Sequence, residues 1–444
     1  MRIAATTIAL TGAPALAASE PGAALAASPS AHWSIVSESE PTSFPAGAGS
    51  DAYVLVVRND GGAPTNGEAV HIADTLPAGV HATRVIVSGE AVAGGLEYKP
   101  TCPEEEAGLF TGTVTCTYGE GAKALPVLPG AVIVMTVSVS VPAGGGALEA
   151  NVGTVSGGGA PSASSSDVVT IGSDPAAFGV SLFDLVALGN GGEADTQAGS
   201  HPSELTTTLA FDVAGREPPH QNGGLERSLA AAAAKDVDIT LPPGLVGNPE
   251  AVPRCSQQAF LEAEKLNCPL DTQVGTVKPF FFGSFPTSSF PVYDVVPPPG
   301  EPAELGFSVG SGHVPLFLHV RPEGSGEYAL TASISDIPEA GPLQGVILTL
   351  WGVPAASSHD LEREGTLGGG DAEEPTESCS PRVVEEGGEQ KVVGCPSGAP
   401  TKPFLTLPSD CQSPQLGVEV EDDSWEQPAL QLESFPSQPL LADA

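Results

Sequence analysis

Cationic side chains are scarce in this chain, with 16 Lys and Arg against 54 Asp and Glu over 444 residues and a formal net charge of −38. A surface so poor in cations cannot neutralise phosphates, which excludes nucleic acid as a partner and disfavours an anionic membrane surface. Basic partners and cations would be drawn in. Aromatic residues make up only 5% of the chain, so platforms for stacking sugars or bases are few. Of the three Trp, Trp351 in LTLWGVP is expected in a core, and Trp425, among acids, is expected to be exposed. No run of eighteen apolar residues follows the N-terminal segment. AVIVMTVSVSV (131–141) is short and broken by Thr and Ser, so it reads as a strand, and no transmembrane segment is expected in the mature chain.

Chemical signatures are missing as well. There is no Cys-x-x-Cys spacing, no phosphate-binding or dinucleotide-binding glycine loop and no Asn-x-Ser/Thr acceptor. No cofactor, no metal site and no catalytic residue are expected. The nearest enzyme-like pattern is GFSVG (306–310), a formal Gly-x-Ser-x-Gly around Ser308, with Asp336 and His359 following in the order of an α/β-hydrolase. That chemistry needs a helix after the serine, and the sequence offers SGHVPLFLHV, another strand. A serine hydrolase is therefore the third reading. His313 and His319, six apart, would share a face of one continuous strand, but Pro315 is expected to interrupt it. His359 and Asp360 are expected at a chain corner. Acidic stretches able to offer calcium oxygen ligands are Glu104 to Glu106, Asp60 with Glu68, and EDDSWE around Asp422 and Asp423, and each reads first as a solvated face.

What the chain does contain is glycine, proline and short β-formers. Fifty-four Gly and 44 Pro leave little room for long helices, and Val-, Ile- and Thr-rich runs lie between them. The length suggests two or three domains. The fold class expected is all-β, with tandem immunoglobulin-like β-sandwiches, Gly/Pro-rich linkers and one short helix. Residues 1–27 read as a signal peptide, with Arg2, an apolar stretch and small-residue endings. Residues 31–172 form the first sandwich, in which Val137, Val139 and Val141 alternate with Ser138 and Ser140, predicting an apolar face inward and a hydroxyl face toward solvent. Residues 173–200 are expected to be a linker, 201–362 a second β-sandwich, and 363–400 an acidic, Gly-rich flexible segment. Residues 401–444 either continue the second domain or begin a further unit. The single helix is expected at QQAFLEAEKLN, capped by Ser256.

Seven cysteines accompany this pattern. Spacing predicts two local disulfides, Cys102 with Cys116 and Cys255 with Cys268, whereas Cys379, Cys395 and Cys411 leave one without a partner.

Residues 33–172 carry a family resemblance. YVLVVRNDGGAPTNGEAVHIADTLPAGVHATRV, with the turn Asn59-Asp60-Gly61 and the strand exit Asp74 to Gly79, leads to GTVTCTYG, a Pro-Gly turn and a last strand bearing Asn151. This resembles the bacterial surface repeat known as domain of unknown function eleven. The resemblance implies an immunoglobulin-like fold in exported cell-surface proteins, often in arrays, and no catalytic residues. The following region, with LPPGLVGNPEAVPRCS, YDVVPPPGEPAELGF and LWGVPAASSHD, resembles uncharacterised segments of large exported actinobacterial proteins. Leu-Pro-x-Gly thus serves twice as a strand exit. The function expected is that of a secreted or cell-surface, non-catalytic structural or adhesive protein, a stalk or interaction module. Its partners would be envelope polymers, surface proteins or neighbouring repeat domains. The alternative is a calcium-dependent carbohydrate- or protein-binding ectodomain.

Overall fold

The computed structural model describes residues 28–435 apart from 50, 90, 93–95, 103–110, 120–124, 173, 218–226, 263–267, 282–288, 311, 323–327, 340–342, 367–377, 387–388, 410–417 and 429–430. The signal-peptide segment, Glu104 to Glu106 and Cys411 lie outside the described residues. The fold is all-β, with a single one-turn α-helix among the described residues.

The first sandwich is built from eight main strands: β1 (Trp33–Glu40), β2 (Asp51–Asn59), β3 (Val70–Thr75), β4 (His81–Gly89), β5 (Thr113–Tyr118), β6 (Val132–Ser140), β7 (Asn151–Gly157) and β8 (Ala160–Asp167). They form two four-stranded sheets, ordered β1-β2-β6-β4 and β8-β7-β3-β5. Trp33, Tyr53, Leu55, Ile72, Ile133, Met135 and Val155 fill the space between the sheets. Gly153 is what lets the layers meet, because a Cβ there would lie 2.6 Å from Cδ2 of Leu55. Asn151 fixes the last strand pair by donating to Oδ1 of Asp74 at 2.7 Å.

The second domain rests on one eleven-stranded sheet. Its strands are β9 (Val180–Leu188), β10 (Glu204–Phe211), β11 (Ala234–Thr240), β12 (Gln273–Phe281), β13 (Phe290–Val295), β14 (Ala303–Val309), β15 (Gly312–Pro322), β16 (Tyr328–Ile334), β17 (Leu343–Trp351), β18 (Val418–Ser424) and β19 (Gln431–Phe435). The order is β9-β10-β17-β12-β13-β14-β15-β16-β11-β18-β19. A sheet this long with one apolar face must cover that face. It folds over so that Leu205 and Val277 on one half join Leu305, Leu316 and Val418 on the other in a common core.

Several expectations change at this point. The segment 173–200 is more than a linker, since β9 pairs with β10 along eight register partners. Its Val, Leu and Phe alternate within VSLFDLVAL, enough for an edge strand beside β10. The stretch 363–400 contains the hairpin of Arg382–Glu386 with Glu389–Val393, and Cys379 is joined to Cys395. Of residues 401–444, the described strands β18 and β19 continue the second domain, because β18 pairs with β11 and β19 with β18. Pro315 does not interrupt β15: it lies opposite Gly306, and its fixed φ suits an extended strand even though it gives up one ladder donor. The helix is only Gln257–Phe260, capped by the Ser256 hydroxyl, which accepts from the Ala259 amide. The bridges Cys102–Cys116 and Cys255–Cys268 are both present.

The hydroxyl face of β6 is largely withdrawn from solvent, with Thr136 and Ser140 half-buried. Ser138 is buried, as is every residue of β2. The outer face of β1-β2-β6-β4 is covered by the second domain, where Val54, Val56, Val132 and Val134 pack against Phe280 and Ile347.

Candidate functional site

The joint between the sandwiches gathers a cluster of buried charge, and strand alternation puts it there. On β10, Leu205, Thr207 and Leu209 point into the second core, so Glu204, Thr206 and Thr208 point toward the first sandwich. On β17, Ile347, Thr349 and Trp351 share the joint face by the same rule. Arg58, at the end of β2, reaches across. Its Nη2 donates to Oε2 of Glu204 at 2.9 Å, and its Nη1 donates to Oγ1 of Thr206 at 3.2 Å and pairs with Asp60 at 2.7 Å. The Thr206 and Thr349 hydroxyls are hydrogen-bonded at 3.2 Å.

Beside this pair stands a turn that follows β17. His359 closes the 3-10 turn Ser357–His359, at the chain corner expected, and is buried there. Its ring stacks on Trp351 with centroids 4.7 Å apart and planes 14° from parallel. Nδ1 of His359 is 3.6 Å from Oε1 of Glu362, and the two side chains are only 2% and 4% exposed. Arg363 pairs with Asp360 at 2.6 Å and donates to the Cys395 carbonyl at 2.8 Å. Burial pushes the His359 imidazole down to about 4, so the ring is neutral. Burial, with Glu362 adding to it, pushes the Glu204 carboxyl up to about 7 against the pull of Arg58. Glu204, His359 and Glu362 each offer one ligand atom, and the three atoms lie within 4.8 Å of one another.

Further along the same joint a cavity of about 550 Å³ opens between β1, β8 and β9. Its walls carry Glu38, Glu40, Asp167 and Asp184 among serine and threonine hydroxyls. Burial, then Glu40 and Asp167, pushes the Glu38 carboxyl up to about 8. Glu40 is bonded to the Ser228 hydroxyl and lies 3.7 Å from Arg216. The cavity can accept hydrogen bonds from a cationic or hydroxylated group.

Ser308, Asp336 and His359, the trio with the chain order of a hydrolase, are not assembled. Ser308 on β14 hydrogen-bonds Nδ1 of His313 at 2.9 Å, directly across the hairpin, and neither ring nitrogen of His359 has a hydrogen bond. Asp336 lies in the turn after β16, at a φ of 55°, with its side chain 76% exposed. The strand after Ser308 runs into β15, so no helix supports an oxyanion hole there. His313 and His319 do share a face, but His319 is engaged by Glu301 at 2.8 Å and His313 packs edge-on to Phe260.

In the described acidic stretches, Asp60, Asp423 and Glu426 serve the fold. Asp60 is held by Arg58. In EDDSWE, Asp423 accepts from the Asp236 amide and Glu426 from the Ala233 amide. Trp351 is fully buried. Trp425 is partly exposed, with its indole N–H donating to the Ile337 carbonyl and Lys235 lying over its ring.

No family model matches the chain, and no curated protein is similar to it. Solved structures align with it at low scores. The C-terminal domain of the Streptococcus agalactiae antigen I/II polypeptide BspA is 8% identical, over 71% of this chain and 90% of that one, at a TM-score of 0.21. The C-terminal domain of the Streptococcus pyogenes antigen I/II-family protein AspA is 8% identical, over 83% and 99%, at 0.21. The B domain of a biofilm associated protein is 10% identical, over 89% and 88%, at 0.22. At these scores the alignments carry no argument about this chain. No helix among the described residues is long and apolar enough to cross a membrane.

Proposed function

We propose that the chain is an exported, non-catalytic structural or adhesive protein of the cell envelope, a stalk or interaction module whose first sandwich belongs to the surface-repeat type. The observation that carries this reading is the joint. Two β-sandwiches meet through a covered apolar stripe and a buried ion-pair cluster, so pull or bending on one is passed to the other. Three disulfides support the extracellular assignment, because such bridges persist in oxidising compartments. The acidic surface suits solvation outside the cell and contact with basic or cation-bridged partners.

The test is fractionation of cells producing the native chain, with intact mass before and after alkylation and protease shaving of whole cells. A protein recovered from the envelope or medium, cleavable from outside and carrying six oxidised cysteines is expected. Recovery from the cytosol with seven free thiols would overturn the reading. Binding to purified envelope polymers, with and without calcium, separates an adhesive module from a bare stalk.

A further inference from the structure

We infer that the joint holds a divalent transition-metal ion, zinc in class, between Glu204 of the second sheet and the His359/Glu362 turn. The inference is independent of the envelope role.

Two observations carry it. The first is composition: one imidazole and two carboxylates converge, each offering an atom within 4.8 Å of the others. In a tetrahedral zinc site, with ligands about 2.0–2.1 Å from the ion, donor atoms stand about 3.3 Å apart. Side-chain rotations that draw the donors in by about an ångström would close that gap. The second is the state of His359. Its side chain is 2% exposed, both ring nitrogens are without a hydrogen bond, and Nδ1 faces the Glu362 carboxylate. Imidazoles buried this deeply are nearly always hydrogen-bonded or metal-bound.

The imidazole decides the class of ion. Calcium and magnesium take oxygen ligands, whereas zinc and its neighbours accept nitrogen beside carboxylate oxygen. Trp351, stacked on the His359 ring, holds the plane of the ligand. The ion would tie β10 to a turn about 155 residues later in the chain, so its role is to fasten the joint.

The experiment uses the full-length, disulfide-intact chain, stripped with chelator in denaturant and refolded with Zn²⁺, Ca²⁺ or no metal. Zn²⁺ is expected to be retained at one equivalent per chain. It should raise Tm by about 3 °C at a hundredfold excess over Kd, and Co²⁺ in its place should quench Trp351 emission. His359→Gln and Glu362→Gln are each expected to abolish retention and the Tm rise. X-ray absorption of the zinc-loaded wild type keeps the test decisive if a variant fails to fold, since it should show a single imidazole with oxygen ligands. Failure to retain zinc, equal retention by His359→Gln, a shell without imidazole, or stabilisation by Ca²⁺ but not Zn²⁺ would each overturn the inference.

Discussion

Arg58 shows how much one side chain can govern in a chain with 16 basic residues. It is buried and paired with both Asp60 and Glu204. Removing it leaves two carboxylates in the joint without their cation, a loss of about 3–5 kcal/mol for a broken buried pair. Arg58→Met is expected to lower the guanidinium midpoint accordingly, and Glu204→Gln in the same background should recover part of the loss. Glu38 makes a different prediction. Its folded carboxyl is raised to about 8 from an ordinary value of 4.5, so between those limits the folded state keeps a proton that the unfolded state has lost. Its contribution is full below pH 4.5 and disappears as pH rises through 8. Urea titrations across this range should find stability falling toward alkaline pH, and Glu38→Gln should flatten the slope. His359, lowered from 6.5 to about 4, acts oppositely between those values, and Glu204, Asp51, Asp74 and Asp294, raised to about 7, add to the fall up to that point, so the Glu38 effect is read most cleanly above pH 7. An unchanged slope in the Gln variant would remove Glu38 as its source.

Elements were far more legible in the sequence than the contacts between them. AYVLVVRN, TVTCTY and VIVMTVSVSV became strands where β-branched runs ended at Gly, Pro or Asn, because those signals are local. The Cys102–Cys116 and Cys255–Cys268 bridges were legible for the same reason, each closing a short loop within one neighbourhood. Pairing β9 to β10, or seating 418–424 beside β11, depends on partners far away in the chain. The joint was hidden by its own periodicity: Glu204, Thr206 and Thr208 alternate with the core-facing Leu205, Thr207 and Leu209 as any solvent face would. The one available hint was Arg58, a scarce cation at the end of an otherwise apolar strand. Two substitutions test the elements. Gly153→Val puts side-chain atoms against Leu55 and Ile35 and is expected to cost about 1–3 kcal/mol by overpacking. Cys102→Ser with Cys116→Ser is expected to cost about 3 kcal/mol from loop entropy. Both are read as denaturation midpoints, and an unchanged midpoint would refute the corresponding account.

For the whole molecule, the question is whether the two sandwiches melt together. The apolar stripe around Phe280 and the Arg58 cluster couple them, so calorimetry on the intact chain should give one endotherm. Phe280→Ala removes the side chain that fits among Val54, Val56, Val132 and Val134, at a cost of about 3–5 kcal/mol. Two separate endotherms are expected for this variant, and two in the wild type would show that the joint is weaker than its burial implies.

The covered face of β2 and β6 also bears on how such a protein could be divided. A gene fragment ending near Gly172 would encode a complete pair of four-stranded sheets yet leave the valine stripe bare. The product should fold and then self-associate, with solubility recovered by Val54→Thr and Val134→Thr replacements. Any shuffling of this sandwich between longer proteins must therefore carry along a neighbour able to shelter that face.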